Sequence, residues 1–120
     1  MDILRLITFC MIQVVNFRNR DALPEPWYYV GRDVPAHAIF GSPLGNPYRT
    51  TKGKSREEAL AKYKAWLWRE MNDPASEARA ELHRLAKRAQ EGDLYLACWC
   101  APQSCHADII KAAIEWLNSQ

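Results

Sequence analysis

The chain of 120 residues reads as a single small α/β domain, on three observations. Two short β-branched and aromatic runs, "IQVVNFR" (12–18) and "PWYYVG" (26–31), open it; amphipathic helical patterns fill its middle; and the apolar "LYLACW" (94–99) precedes a last helical pattern. Strands placed before and after helices make a sheet with helices packed on it.

Each element has its own signature. The two opening runs are bounded by turn formers, which is how strands end. From Gly31 to Gly53, the glycines at 41 and 45 and the prolines at 35, 43 and 47 exclude a long helix and predict an ordered, irregular loop. Ser55 with Glu58 forms a capping box, and Leu60, Tyr63, Leu67 and Met71 follow at helical spacing, predicting a helix over 56–71. Asp73 as N-cap with Pro74 at the first helical position predicts a second helix, with Ala78, Leu82, Leu85, Ala86 and Ala89 as its stripe and Gly92 as its stop. "LYLACW" lacks the alternation of a half-exposed strand, so it is expected at the centre of the sheet. Ser104 is expected to cap a final helix carrying Ile109, Ile110, Ala113, Ile114 and Leu117. The expected whole is a short mixed sheet of about three strands flanked by helices, in a Rossmann-like three-layer arrangement.

Bulk properties exclude several classes. A net charge of +2, from 16 basic and 14 acidic residues spread along the chain, indicates no strong polyelectrolyte partner. Residues 1–10, "MDILRLITFC", are apolar but carry Asp2 and Arg5, and are far shorter than the roughly 20 residues of a membrane span. They also lack a basic leader and a small-residue cleavage site. Met11, directly before the first strand, offers an alternative start, so residues 1–10 are expected to be an extension and 11–120 the domain. Four cysteines without a secretory signal read as reduced thiols of a cytoplasmic protein.

The chemistry concentrates in "CWCAPQSCHAD" (98–108). Alternation along a strand points Cys98 and Cys100 the same way and Trp99 oppositely. Cys105 and His106 fall at a helix mouth, where successive side chains diverge by about 100°, so they are expected to face different targets. The carboxyl end of a central strand feeding a helix is where open α/β sheets place ligands. There Cys105 can be a nucleophile, because the helix dipole and free amide N–H groups stabilise a thiolate. His106 can be its acid or base, and Asp108 can orient the imidazole or complete the helix's first turn. Alternatively Cys98, Cys100 and Cys105 are three soft ligands for zinc or an iron–sulfur cluster, with His106 or His37 as a fourth, although C-x-C-x4-C-H is not a common spacing for either. In a purely structural reading Cys98 is a small buried hydrophobe and the others are bystanders.

A second cluster comprises "YYVGR" and "GSPLGNPYR". Gly31, Gly41 and Gly45 permit a close backbone approach to a ligand, Arg32 and Arg49 offer planar forks for phosphate or carboxylate, and Asn46 precedes a proline that holds it extended. Gly-Asn-Pro is also an ordinary turn. Trp66 and Trp68 share a helix and are read as packing or partner-facing residues.

"VVNFR", "YYVGR", "GSPLGNPY", "ALAKYKAWL" and "LACWCAPQSCHADII" together resemble the domain of unknown function 4326 family, small proteins of bacteria and their viruses, from about Ile12 to Ile114. The matching positions are Asn16, Arg18, Gly31, Arg32, Gly45, Asn46, Pro47, Cys98, Cys100, Pro102, Cys105, His106 and Asp108. The last turn is also similar to that of the domain of unknown function 488 family, where a Cys-His-Arg opens a helix; here Ala107 stands in place of that arginine. The resemblance implies that the polar loop and the Cys/His turn belong to one site.

The leading expectation is a pocket of Arg18, Gly31, Arg32, Gly45, Asn46 and Ser104 beside Cys105, His106 and Asp108. It would bind a small anionic ligand, a nucleotide, nucleoside or nucleic-acid end, and act on it through Cys105; whether it is an enzyme stays open. The alternative is a module stabilised by zinc or iron–sulfur on Cys98, Cys100 and Cys105 that recognises nucleic acid or protein. A third reading is an interaction protein using the Trp66 and Trp68 face. None of the three involves a membrane.

Overall fold

The computed structural model of the chain describes residues 11–35, 40–48, 55–99 and 105–120. Three strands, β1 (Ile12–Asn16), β2 (Trp27–Tyr29) and β3 (Leu94–Cys98), form one sheet in the order β1-β3-β2. Three helices follow the strand pair: α1 (Arg56–Met71) and α2 (Glu77–Ala89) before β3, and α3 (His106–Asn118) after it. β3 is central, as its unbroken apolar run requires, and Leu94, Leu96, Ala97 and Cys98 are all fully buried.

The α/β class and the strand number agree with the sequence; two details differ. Both strand pairs are parallel rather than mixed, with Ile12 opposite Leu94, Asn16 opposite Cys98, and Tyr29 opposite Ala97. All three carboxyl ends therefore lie along one edge. The described helices also pack on one face only, so the expected three layers reduce to two. Leu94, Leu96 and Cys98 join Ile12 and Val30 in a single core with Tyr63 and Leu67 of α1, Leu82 and Leu85 of α2, and Ile110 and Ile114 of α3. The opposite face carries the buried ring of Phe17, which meets Trp27, Tyr29 and Trp99 at centroid distances of 5.6, 5.0 and 5.0 Å. The reason lies in the connections. The segment joining β1 to β2 holds only a 3-10 stretch, Phe17–Ala22, whereas a crossover helix needs a dozen or so residues.

Helix boundaries follow local capping. Ser55 Oγ accepts the Glu58 amide at 3.1 Å, as the capping box predicts. The second helix starts later than its Asp-Pro pair suggests. Asp73 Oδ1 instead accepts from the Ala75 amide at 3.0 Å, closing a turn, while Ser76 Oγ caps α2 by accepting from Arg79 N and donates to Glu70 Oε1. Among the described residues no helix is long and apolar enough to cross a membrane. The expected extension 1–10 lies outside the described residues.

Since Leu96 is the middle residue of the central strand and fully buried in the core, Leu96→Ala should destabilise the domain by about 2–5 kcal/mol. Denaturant unfolding monitored by tryptophan fluorescence measures it.

Candidate functional site

The parallel sheet delivers the ends of β1, β2 and β3 to one edge, and α3 begins there. Cys98 closes β3 on the face that carries the helices. Cys105, not Ser104, is the N-cap of α3, with extended dihedrals (φ −152°, ψ 165°). Its Sγ accepts from the Ala107 amide at 3.3 Å, and its own amide donates to Asp108 Oδ2 at 3.0 Å. A capping box built on sulfur thus takes the place of the serine expected from propensity.

This backbone changes the relation between Cys105 and His106. The divergence expected of neighbours on a helix applies only once both residues are helical; Cys105 is not, and its side chain turns back over the helix mouth. Its Sγ lies 3.7 Å from His106 Nδ1 and 3.0 Å from Cys98 Sγ. Both cysteines are buried, and neither is in a disulfide. His106 Nε2 lies 2.6 Å from the carbonyl oxygen of Val30, just beyond β2. A carbonyl only accepts, so Nε2 carries the proton and Nδ1 turns its lone pair toward sulfur. The arrangement brings together a thiol, an imidazole lone pair and an acceptor that orients the ring.

Burial keeps the imidazole neutral. Desolvation pushes the His106 pKa below its usual 6.5 and Arg32 lowers it further, against the upward pull of the Val30 hydrogen bond and of Asp108. Tyr63 packs edge-on to the imidazole at a centroid distance of 5.2 Å and donates its hydroxyl to the Leu44 carbonyl at 2.7 Å. Burial raises the Tyr63 pKa, so the hydroxyl remains a donor.

The loop carries the second cluster to the same edge. Ser42 N donates to the Gly31 carbonyl at 2.9 Å, and Gly41 N donates to Asp33 Oδ1. A Cβ on Gly45 would stand 2.9 Å from the Gly31 carbonyl oxygen, and one on Gly31 would fall on the Tyr29 phenol. Gly45 therefore lets the loop approach the Gly31 carbonyl, and Gly31 leaves room for the Tyr29 phenol. Asn46 Oδ1 accepts from Tyr48 N at 2.8 Å, the turn reading of Gly-Asn-Pro. Arg32 is exposed, and its carbonyl accepts the Tyr29 hydroxyl at 2.6 Å. Arg18 sits on the other face of the edge, its guanidinium 5.8 Å from the Trp99 ring centre, while Asn16 donates to the Trp99 carbonyl at 3.3 Å.

Of the expected site, then, Cys98, Cys105 and His106 converge. Asp108 holds the Cys105 amide, while the Val30 carbonyl orients the imidazole. Cys100, Ser104, His37 and Arg49 lie outside the described residues, and among the described residues no group of three His, Cys, Asp or Glu could hold a metal. Two participants escaped the sequence. The Val30 acceptor is a backbone atom, which no residue type signals, and Tyr63 occupies a helical stripe position indistinguishable from core.

Fold and site define a small α/β protein with a buried cysteine–histidine pair at a strand-to-helix turn. The chain matches, over residues 15–116, the model of the family described as Domain of unknown function (DUF4326), and it belongs to that family. No curated protein and no solved structure matches it.

The neutral imidazole gives stability a pH dependence. Its folded pKa is depressed below the unfolded 6.5, so the unfolded chain takes up the proton first. The unfolding free energy should be fully retained above that value and fall as pH drops below it, and His106→Asn should flatten this slope. Urea unfolding across about pH 5–8 measures both.

Proposed function

We propose that the protein binds a small anionic ligand, a nucleotide, nucleoside or nucleic-acid end, at the carboxyl edge of the sheet, and acts on it through Cys105. The observation that carries this reading is the hydrogen bond from His106 Nε2 to the Val30 carbonyl, which leaves Nδ1 facing Cys105 Sγ. In that role Nδ1 takes the thiol proton, and sulfur attacks an electrophilic centre of the ligand. The Ala107 amide and the positive end of α3 stabilise charge on sulfur. Arg32, exposed at the same edge, is the candidate partner for the ligand's anionic group, with Ser104 and Asn46 as further contacts and Arg18 bordering the edge from its other face. Free thiols at Cys98 and Cys105 suit a reducing compartment such as the cytoplasm.

The test is a panel of nucleotides, nucleosides and 5′- or 3′-phosphorylated oligonucleotides, assayed for binding and turnover. Cys105→Ala should abolish turnover of any ligand the wild type converts, while Arg32→Ala should weaken binding of the charged members about tenfold or more. A Cys105→Ala chain that performs as the wild type removes Cys105 from the mechanism.

A second reading, a module stabilised by metal on Cys98, Cys100 and Cys105, is favoured by the convergence of the first and last of these sulfurs at 3.0 Å. Zinc bonds of about 2.3 Å in a tetrahedral set would hold two sulfurs somewhat further apart. Elemental analysis of untagged protein decides it. About one zinc per chain with a melting temperature lowered by chelator supports the module; metal-free protein indifferent to chelator sinks it.

A further inference from the structure

Cys98 and Cys105 approach one another from different elements, the end of β3 and the cap of α3, with their sulfurs 3.0 Å apart. A disulfide holds its sulfurs at about 2.05 Å, so bonding requires an approach of about 1 Å. The two sulfurs are not equivalent. Cys105 receives the Ala107 amide, faces His106 Nδ1 and is 3% exposed, whereas Cys98 is 0% exposed.

We propose that Cys98 and Cys105 form a reversible dithiol–disulfide couple that reacts with hydrogen peroxide, Cys105 as the attacking sulfur and Cys98 as the resolving one. His106 Nδ1 accepts the Cys105 proton, and the thiolate attacks one peroxide oxygen. The O–O bond breaks, Cys105 becomes a sulfenic acid, and the departing hydroxide regains the proton as water. Cys98 sulfur then attacks Cys105 sulfur, the S–O bond breaks, and hydroxide leaves with the Cys98 proton as a second water. Two thiols are oxidised and one peroxide is reduced to two waters. The small size of peroxide suits a thiol with so little exposed surface, and the neighbour at 3.0 Å intercepts the sulfenic acid before further oxidation. Loss of the ligand-site nucleophile on oxidation is a consequence that rests on the proposed function; the disulfide itself does not.

The test uses the full chain, reduced, chelator-treated and freed of reductant, then exposed to hydrogen peroxide. Chymotryptic cleavage after Trp99 separates Cys98 from Cys105, and Cys100→Ser leaves Cys105 as the single cysteine on its fragment. The expected result is a loss of about 2 Da per chain, a Cys98–Cys105 linkage in the map, and restoration by dithiothreitol. Cys98→Ser should instead yield a Cys105 sulfenic acid trapped by dimedone, and Cys105→Ser should leave Cys98 unmodified. Unmodified thiols in a chain that circular dichroism shows to be folded, or a linkage that excludes either residue, overturns the proposal. Should a variant fail to fold, tandem mass spectrometry of the linked wild-type fragments, which separates Cys100 from Cys105 by fragment ions, decides. Oxidation without ligand binding would sink only the ligand reading, and ligand binding without oxidation only this one.

Discussion

A strand buried on both faces leaves the chain few places for chemistry, and β3 is such a strand. Leu94, Leu96 and Cys98 are packed under the helices, and Ala97 on the other face is fully buried, so its sides are spent on cohesion. Its carboxyl end is what remains. Because both neighbours run parallel to it, their carboxyl ends arrive at the same edge, and the Val30 carbonyl after β2 comes within reach of a histidine that follows β3.

That histidine joins the elements. The His106–Val30 hydrogen bond ties the start of α3 to the end of β2, while Tyr63 of α1 packs against the imidazole and holds the Leu44 carbonyl. Sheet, loop and two helices therefore meet around one neutral ring. A buried polar group of this kind is tolerated because both of its nitrogens have a use: one satisfies a carbonyl, the other faces a thiol. The polar arrangement is part of the packing, and the chemistry available at the edge is inherited from it.

The two faces of the sheet divide the labour differently from a doubly wound domain. The helices occupy one side, and the short β1–β2 connection returns an aromatic ring to cover the other. Arg18 follows that connection and ends over Trp99, away from the thiols. Arg18 and Arg32, expected in one pocket, are thereby split between the two sides of the edge, and among the described residues Arg32 is the arginine whose charge bears on His106.

The sequence by itself determined the elements and the address of the site. Periodicity placed α1, the apolar run placed β3 at the centre, and the density of cysteine and histidine after it marked the strand-to-helix turn, because each of these is a local pattern written in residue type. The beginning of α2 was less legible, since Asp73 and Ser76 are both good caps by residue type, and it took the folded chain to close Asp73 into a turn and leave Ser76 to cap Arg79 N and reach Glu70. What the tertiary structure decided was the company each residue keeps. That Cys105 and His106 lie side by side follows from an extended N-cap backbone, that Gly45 serves loop packing follows from its approach to the Gly31 carbonyl, and the acceptor that fixes the imidazole is a main-chain oxygen. A backbone atom has no letter in a sequence, and distances between remote segments exist only once the chain has folded.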